Sequence, residues 1–240
     1  SSYFPTYFQQ LREPCVGGGS MFLYTIQKYP EIYCWINDLN PEVYYFWQQI
    51  QCNPLSFVEE VRKIKIQEVD GKKLFHKLRN LEIDNLTPLQ RAVRFFVLNR
   101  ISYSGTIESG GFSSLAFQNR FTDSSIERLK ELSKIPSVQV TNLNYSRLLE
   151  ASGEDVFIIL DPPYCSNLRS KLYGKSGSLH INFDHALFAE NMARCQHKWL
   201  ITYDDCEEVR KNFSFANIHT WEIQYSMRRD KAKELIITNY

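Results

Sequence analysis

Val156-Phe157-Ile158-Ile159-Leu160-Asp161-Pro162-Pro163-Tyr164 is the stretch around which the rest of the chain is read. Five apolar residues in a row describe a strand buried on both faces, as in the middle of a parallel sheet. Neither following proline can donate to a sheet ladder, so the strand stops at Asp161. A carboxylate then stands at the carboxyl end of a central strand, where open α/β sheets keep their binding crevices. Tyr164 lies within reach of the same crevice. Asp-Pro-Pro alone would be a strand end with a polar turn. Tyr164 and a glycine turn far upstream, Gly17-Gly18-Gly19, make the pattern more specific.

Composition sets the frame. The 240 residues suffice for one large α/β domain or a core with a smaller insertion. Hydrophobic residues at 43% and charged residues at 23% are ordinary globular values and argue against disorder. A net charge of +1 means that a nucleic-acid-binding face would have to come from local clustering. The six cysteines form no C-x-x-C pair, so neither a disulfide framework nor a metal site is expected. No signal peptide or spanning segment is read, and the expected compartment is the reducing cytoplasm, at the nucleoid of a bacterial or phage-like system.

Upstream, residues 1–10 read as the end of a helix entering the first strand. Glu13 to Val16 is expected as that strand, and Gly17-Gly18-Gly19 as the turn into a helix starting near Ser20. Glycines permit positive φ and close approach of a ligand, and the helix behind offers free N–H groups. Ile32 to Ile36 is the second strand. Asp38 after it is the candidate for gripping ribose hydroxyls, with Leu39 beside it. Its competing role is to cap the helix from Pro41, for which Asn40 is better placed.

Residues 41–100 read as helical, with Val43, Phe46, Trp47 and Ile50 on one face and Phe57, Val58, Val61 and Ile64 on another. Lys63, Lys65, Lys72, Lys73, Lys77 and Arg79 make the region locally basic, most simply as a solvated helix face. A helix starting at Thr87-Pro88 places Ala92, Phe95, Phe96 and Leu98 to dock on the sheet. Ile101 to Phe121 turns polar and glycine-rich, as a loop or hairpin reaching outward. Ser124 to Leu132 follows as a short helix and Val138 to Asn142 as a strand. Beyond Tyr164, Asn167 to His180 could close over the site as a lid. Lys198 to Tyr203 is another buried strand, and Trp221 to Tyr225 with Leu235 to Ile237 the closing pair, joined by a short basic link.

Asp161-Pro162-Pro163-Tyr164 together with Glu13-Pro14-Cys15-Val16-Gly17-Gly18-Gly19-Ser20 resembles the Dam-like (D12 class) DNA adenine-N6 methyltransferases. The resemblance runs from the first loop to Lys233-Glu234-Leu235-Ile236-Ile237. It implies a Rossmann-like α/β methyltransferase sheet, mostly parallel with an antiparallel closing strand, and a largely helical target-recognition insertion with a hairpin loop. The catalytic domain is expected at 1–40 and 136–240, the insertion at 41–135. S-adenosylmethionine is the implied cofactor, held by Glu13, Pro14, Cys15, Gly17, Gly19, Ser20, Asp38, Leu39, Asn144 and Asp161. In that group a Gly-Gly-Lys loop ahead of this stretch also touches the cofactor, and an acid usually stands where this chain has Asn144.

The implied catalytic residues are Asp161, Pro162, Pro163 and Tyr164, acting on a flipped-out adenine of double-stranded DNA. Tyr103, Ser104, Thr106, Glu108, Asn119 and Arg120 are the implied DNA contacts. Many members carry Asn in place of Ser104 and a basic residue near Glu108, which puts a standard GATC target in doubt. A cognate restriction endonuclease is a possible partner, and the protein is expected to be monomeric and not membrane-bound. Two other readings stay open: the same chemistry on cytosine N4 or on RNA, and a non-catalytic DNA-binding relative.

Overall fold

The computed structural model describes residues 2–107, 110–132, 134–136, 138–165, 183–224 and 231–240. These fall into two compact units, one from the described residues of 2–39, 141–165 and 183–240 and one from those of 40–140.

The first unit is built on a seven-stranded sheet of β1 (Gln10–Glu13), β2 (Tyr33–Asn37), β3 (Gln139–Thr141), β4 (Val156–Leu160), β5 (Lys198–Asp204), β6 (Asn217–Gln224) and β7 (Lys231–Thr238). The order is β3-β2-β1-β4-β5-β7-β6. β1 runs parallel to β2 and β4, and β4 parallel to β5, whereas β7 is antiparallel to both β5 and β6. The mostly parallel sheet with an antiparallel closing strand is thus observed. β4 is central and buried throughout. Ile158 and Leu160 enter one core with Phe188, Met192, Trp199, Ile201 and Tyr203. Phe157 points the other way, to the rings of Phe4, Phe8 and Tyr240. This alternation follows from the two-residue strand repeat, and each such side chain contributes about 1.5–3 kcal/mol by burial.

Two expectations are corrected. β1 ends at Glu13 instead of starting there, because Pro14 has no N–H for the ladder. Residues 2–9 form turns and bends, not a helix.

The second unit is helical: after α1 (Ser20–Lys28) of the first unit come α2 (Pro41–Cys52), α3 (Pro54–Gln67), α4 (Gly71–Arg79), α5 (Pro88–Ile101), α6 (Ser114–Arg120) and α7 (Asp123–Leu132). Asn40 caps α2 through its side chain, and Thr87 with Gln90 forms a capping box on α5. The α5 face expected on the sheet is filled from α2 and α3, where Phe46 meets Phe95 and Phe96, and Phe57 meets Phe96. Lys63 pairs with Glu59 and Glu60, Lys77 with Glu68, and Lys65 lies over Phe117 and Phe121, in keeping with a solvated face. The first unit resumes with α8 (Ser146–Glu150), α9 (His185–Arg194) and α10 (Glu207–Asn212). No helix among the described residues is long and apolar enough to cross a membrane.

Candidate active site

Three neighbouring parallel strands, β2, β1 and β4, end in acids: Asp38 just past β2, Glu13 at the tip of β1 and Asp161 just past β4. Glu13 is 3% exposed. One carboxylate oxygen takes a hydrogen bond from the backbone of Phe22, and Oε2 is buried with no hydrogen-bond partner. Burial, and then the charges of Asp161 and Asp38, push its pKa well above the usual carboxylate range. The Cys15 thiol is pushed well up by burial and by the same three acids, which keeps it neutral.

The glycine turn is held by backbone and by Asp38. Val16 N–H donates to Asn37 O at 2.9 Å, and Gly19 N–H to Val16 O at 2.7 Å. Gly17 N–H donates to Asp38 Oδ2 at 2.9 Å. Gly17 and Gly19 have φ of 47° and 72°, in the left-handed region open to glycine. A Cβ on Gly17 or Gly18 would meet nothing within 4 Å, so the turn borders open space. α1 begins at Ser20 behind Gly19 with no side-chain cap. Asp38 is therefore not the helix cap weighed in its sequence reading: it braces the turn, and Asn40 does the capping.

Asn37 is a residue that sequence reasoning passed over. Fully buried, it donates through Nδ2 to Pro14 O at 2.9 Å and Leu143 O at 3.0 Å. Its Oδ1 accepts from Thr141 Oγ1 and Leu143 N–H, both at 2.8 Å. It thus ties the ends of β1, β2 and β3 together. Asn142 Nδ2 donates to the carbonyls of Asp38 and Leu39, and Leu39 exposes its side chain. Asn144 Oδ1 already accepts from Ser146 N–H at 3.0 Å, at the start of α8.

The Asp161–Tyr164 loop is tied at both ends to β5 and β7. Thr202 donates to Asp161 Oδ1 at 2.8 Å, Cys165 N–H to Asp204 Oδ1 at 2.9 Å, and Tyr164 OH to Glu234 Oε1 at 3.2 Å. Asp161 is exposed at the end of β4, yet flanked closely enough by protein to lose part of its hydration. Desolvation there raises its pKa, with Glu234 acting in the same direction, while the bonds from Thr202 and Tyr164 oppose the rise. The sequence signal for Thr202 and Glu234 was a polar residue inside an apolar strand.

Of the implied DNA contacts, Glu108 lies outside the described residues, as do the lid expected in Asn167 to His180 and most of the basic link. Tyr103–Gly105 forms one 3-10 turn, and an antiparallel bridge joins Ser102 to Phe112. Tyr103 and Ser104 are exposed. Thr106 Oγ1 donates to Tyr103 O at 2.8 Å. Asn119 and Arg120 close α6. Asn119 is exposed, whereas Arg120 donates to Asn99 O at 2.8 Å and so holds the loop. Burial, and then the charges of Arg120 and Arg128, lower the pKa of Arg100. These three arginines concentrate positive charge that the near-neutral total conceals.

The acids at three strand ends, with an orphaned oxygen on Glu13, suit a ligand carrying positive charge, and the open glycine turn suits close backbone approach. No group of three His, Cys, Asp or Glu side chains among the described residues could hold a metal ion.

Comparison with known proteins agrees with this arrangement. Residues 1–227 match a family model described as D12 class N6 adenine-specific DNA methyltransferase. A Type II methyltransferase, M.MjaIII, of Methanocaldococcus jannaschii is 24% identical over 166 residues, covering 63% of this chain and 57% of its own. A DNA adenine methylase of Vibrio cholerae is 24% identical over 163 residues, covering 65% and 56%. The DNA adenine methylase of Escherichia coli K12 is 28% identical over 243 residues, covering 94% and 84%. The chain thus spans just over half the length of the first two relatives.

Proposed function

Because the chain belongs to the D12 class of N6 adenine-specific DNA methyltransferases, we propose that it methylates N6 of an adenine flipped out of duplex DNA, with S-adenosylmethionine as donor. The observation that carries this reading is the Asp161–Tyr164 loop, tied to β5 and β7 beside strand ends that present Glu13 and Asp38.

The residues fit the donor. Glu13 and Asp38 match its positive end, and Gly17, Gly19 and Ser20 let backbone approach it, with Pro14, Cys15, Leu39 and Asn144 around. When bound, S-adenosylmethionine supplies an electrophilic methyl group on sulfur. Adenine N6 is a poor nucleophile, because its lone pair is delocalised into the ring. Asp161 accepts one N6–H bond and the Pro162 carbonyl the other. Two acceptors draw the nitrogen toward tetrahedral geometry and stabilise its developing positive charge. Pro163 keeps the loop from re-entering the sheet ladder. Tyr164 stacks on the extruded base and returns about 1–3 kcal/mol of the unstacking cost.

Target recognition belongs to the helical unit. Tyr103, Ser104, Thr106, Glu108 and Asn119 face the DNA, with Arg120 shaping the loop and the arginine cluster meeting phosphate. The likeness to proteins named DNA adenine methylase favours adenine over cytosine N4 or RNA. Action as a monomer in the cytoplasm belongs to the same reading, and M.MjaIII being a Type II methyltransferase leaves room for a restriction endonuclease partner. Incubation with DNA and methyl-labelled cofactor, followed by nucleoside analysis, tests the reading. Label in N6-methyladenine supports it; label in N4-methylcytosine or in RNA alone moves it to the second chemistry; none in any acid makes the chain a binding protein.

A further inference from the structure

Glu234 has no place in the reaction as described, and its position is costly. It is 5% exposed, on β7 between β5 and β6, where Asp204 and Trp221 are its ladder neighbours. A carboxylate buried at that level needs donors to offset the loss of water. One donor is the Tyr164 hydroxyl, 3.2 Å from Oε1. The same hydroxyl lies close enough to Asp161 to favour its ionised form. The Tyr164 ring packs at 6.2 Å from buried Tyr203, tilted by 35°. Cys165, the next residue, is fixed through its N–H by Asp204 on β5. Ring and backbone are thereby both held, and Glu234 fixes the far end of the ring.

Resting on the function proposed above, we propose that Glu234 is a positioning residue, anchoring Tyr164 through its hydroxyl so that the ring is set beside Asp161 before the target base arrives. A stacking platform gains when its orientation is fixed in advance, because less freedom is lost on binding. Nothing in the geometry requires Glu234 to touch the base or the methyl donor. Its effect passes through Tyr164, so once the hydroxyl is gone, removing Glu234 should cost nothing further.

A double-mutant cycle on Tyr164→Phe and Glu234→Ala, read as methyl transfer to unmethylated DNA of mixed sequence, tests this. Each single variant is expected to lose about tenfold in kcat/KM. The double variant is expected to lose no more than Tyr164→Phe alone, not a hundredfold, since Glu234 acts through the hydroxyl. Glu234→Gln, whose amide oxygen still accepts from the phenol, should recover most of the loss. The calorimetric dissociation constant for S-adenosylmethionine should stay within about twofold in all four variants, which a general collapse of the site would not allow. Additive losses, a Glu234→Gln variant as poor as Glu234→Ala, or a Tyr164→Phe variant equal to the parent would each overturn the proposal. A parent that transfers no methyl group would remove the function reading, and this proposal with it; an active parent with uncoupled variants removes the proposal alone.

Discussion

Asp161 and Glu13 are both carboxylates whose pKa is raised, and for each the sign of the effect has a different consequence. The acceptor role proposed for Asp161 requires its ionised form, so turnover should fall as pH falls through its raised pKa. The Thr202 hydroxyl favours that ionised form. Thr202→Val should therefore move the acid limb of the kcat–pH profile to higher pH, by about one unit or less; an unmoved limb would mean that another group governs it. For Glu13, a folded-state pKa above the unfolded value means that its stabilising contribution is present below the ordinary glutamate range. That contribution is lost as pH rises through the folded-state value. Glu13→Gln should accordingly raise thermal stability at neutral and alkaline pH while weakening cofactor binding in calorimetry. A variant less stable than the parent at pH 8 would contradict a raised pKa at this site.

At the scale of elements, two features that position the site are strained or costly. Ser104 sits at φ 52°, in the left-handed region where a side chain other than Asn or Asp is disfavoured. Asn tolerates this backbone better than Ser. Ser104→Asn should stabilise the protein by roughly 0.5–1 kcal/mol in urea unfolding, and a destabilised variant would show that the serine hydroxyl is needed. In β1, Arg12 is 1% exposed and donates to the carbonyls of Leu148, Ala151 and Ser152, each at 2.7 Å. Arg12→Met keeps most of the bulk but leaves those carbonyls without their donor, at a cost of about 3 kcal/mol. A loss below 1 kcal/mol would mean that water replaces the guanidinium. Arg12 also explains why β1 was misplaced by sequence. Gln10 and Arg12 look like solvent-facing residues, and only α8 and the turn after it supply the carbonyls that make burial of Arg12 tolerable. β4 posed no such difficulty, since its five apolar residues and two prolines mark both its burial and its end locally. Thr202 and Glu234 were visible only as polar interruptions. What they face depends on β7 inserting between β5 and β6, a long-range pairing with no local sign.

For the molecule as a whole, the sheet gathers at the carboxyl ends of β2, β1 and β4 the groups that a methyl donor and an amino group would need, while the helical unit carries the loop and the arginines suited to DNA. The proposed function puts chemistry in the first unit and recognition in the second, and Asp161 is where that proposal can be broken cleanly. The most direct measurement compares the parent with Asp161→Ala by mass-spectrometric nucleoside analysis of DNA incubated with methyl-labelled S-adenosylmethionine, alongside DNA affinity. The account predicts labelled N6-methyladenine from the parent, a loss of at least about a thousandfold in the variant, and DNA affinity within about twofold of the parent. Near-parental N6-methyladenine from Asp161→Ala would contradict it.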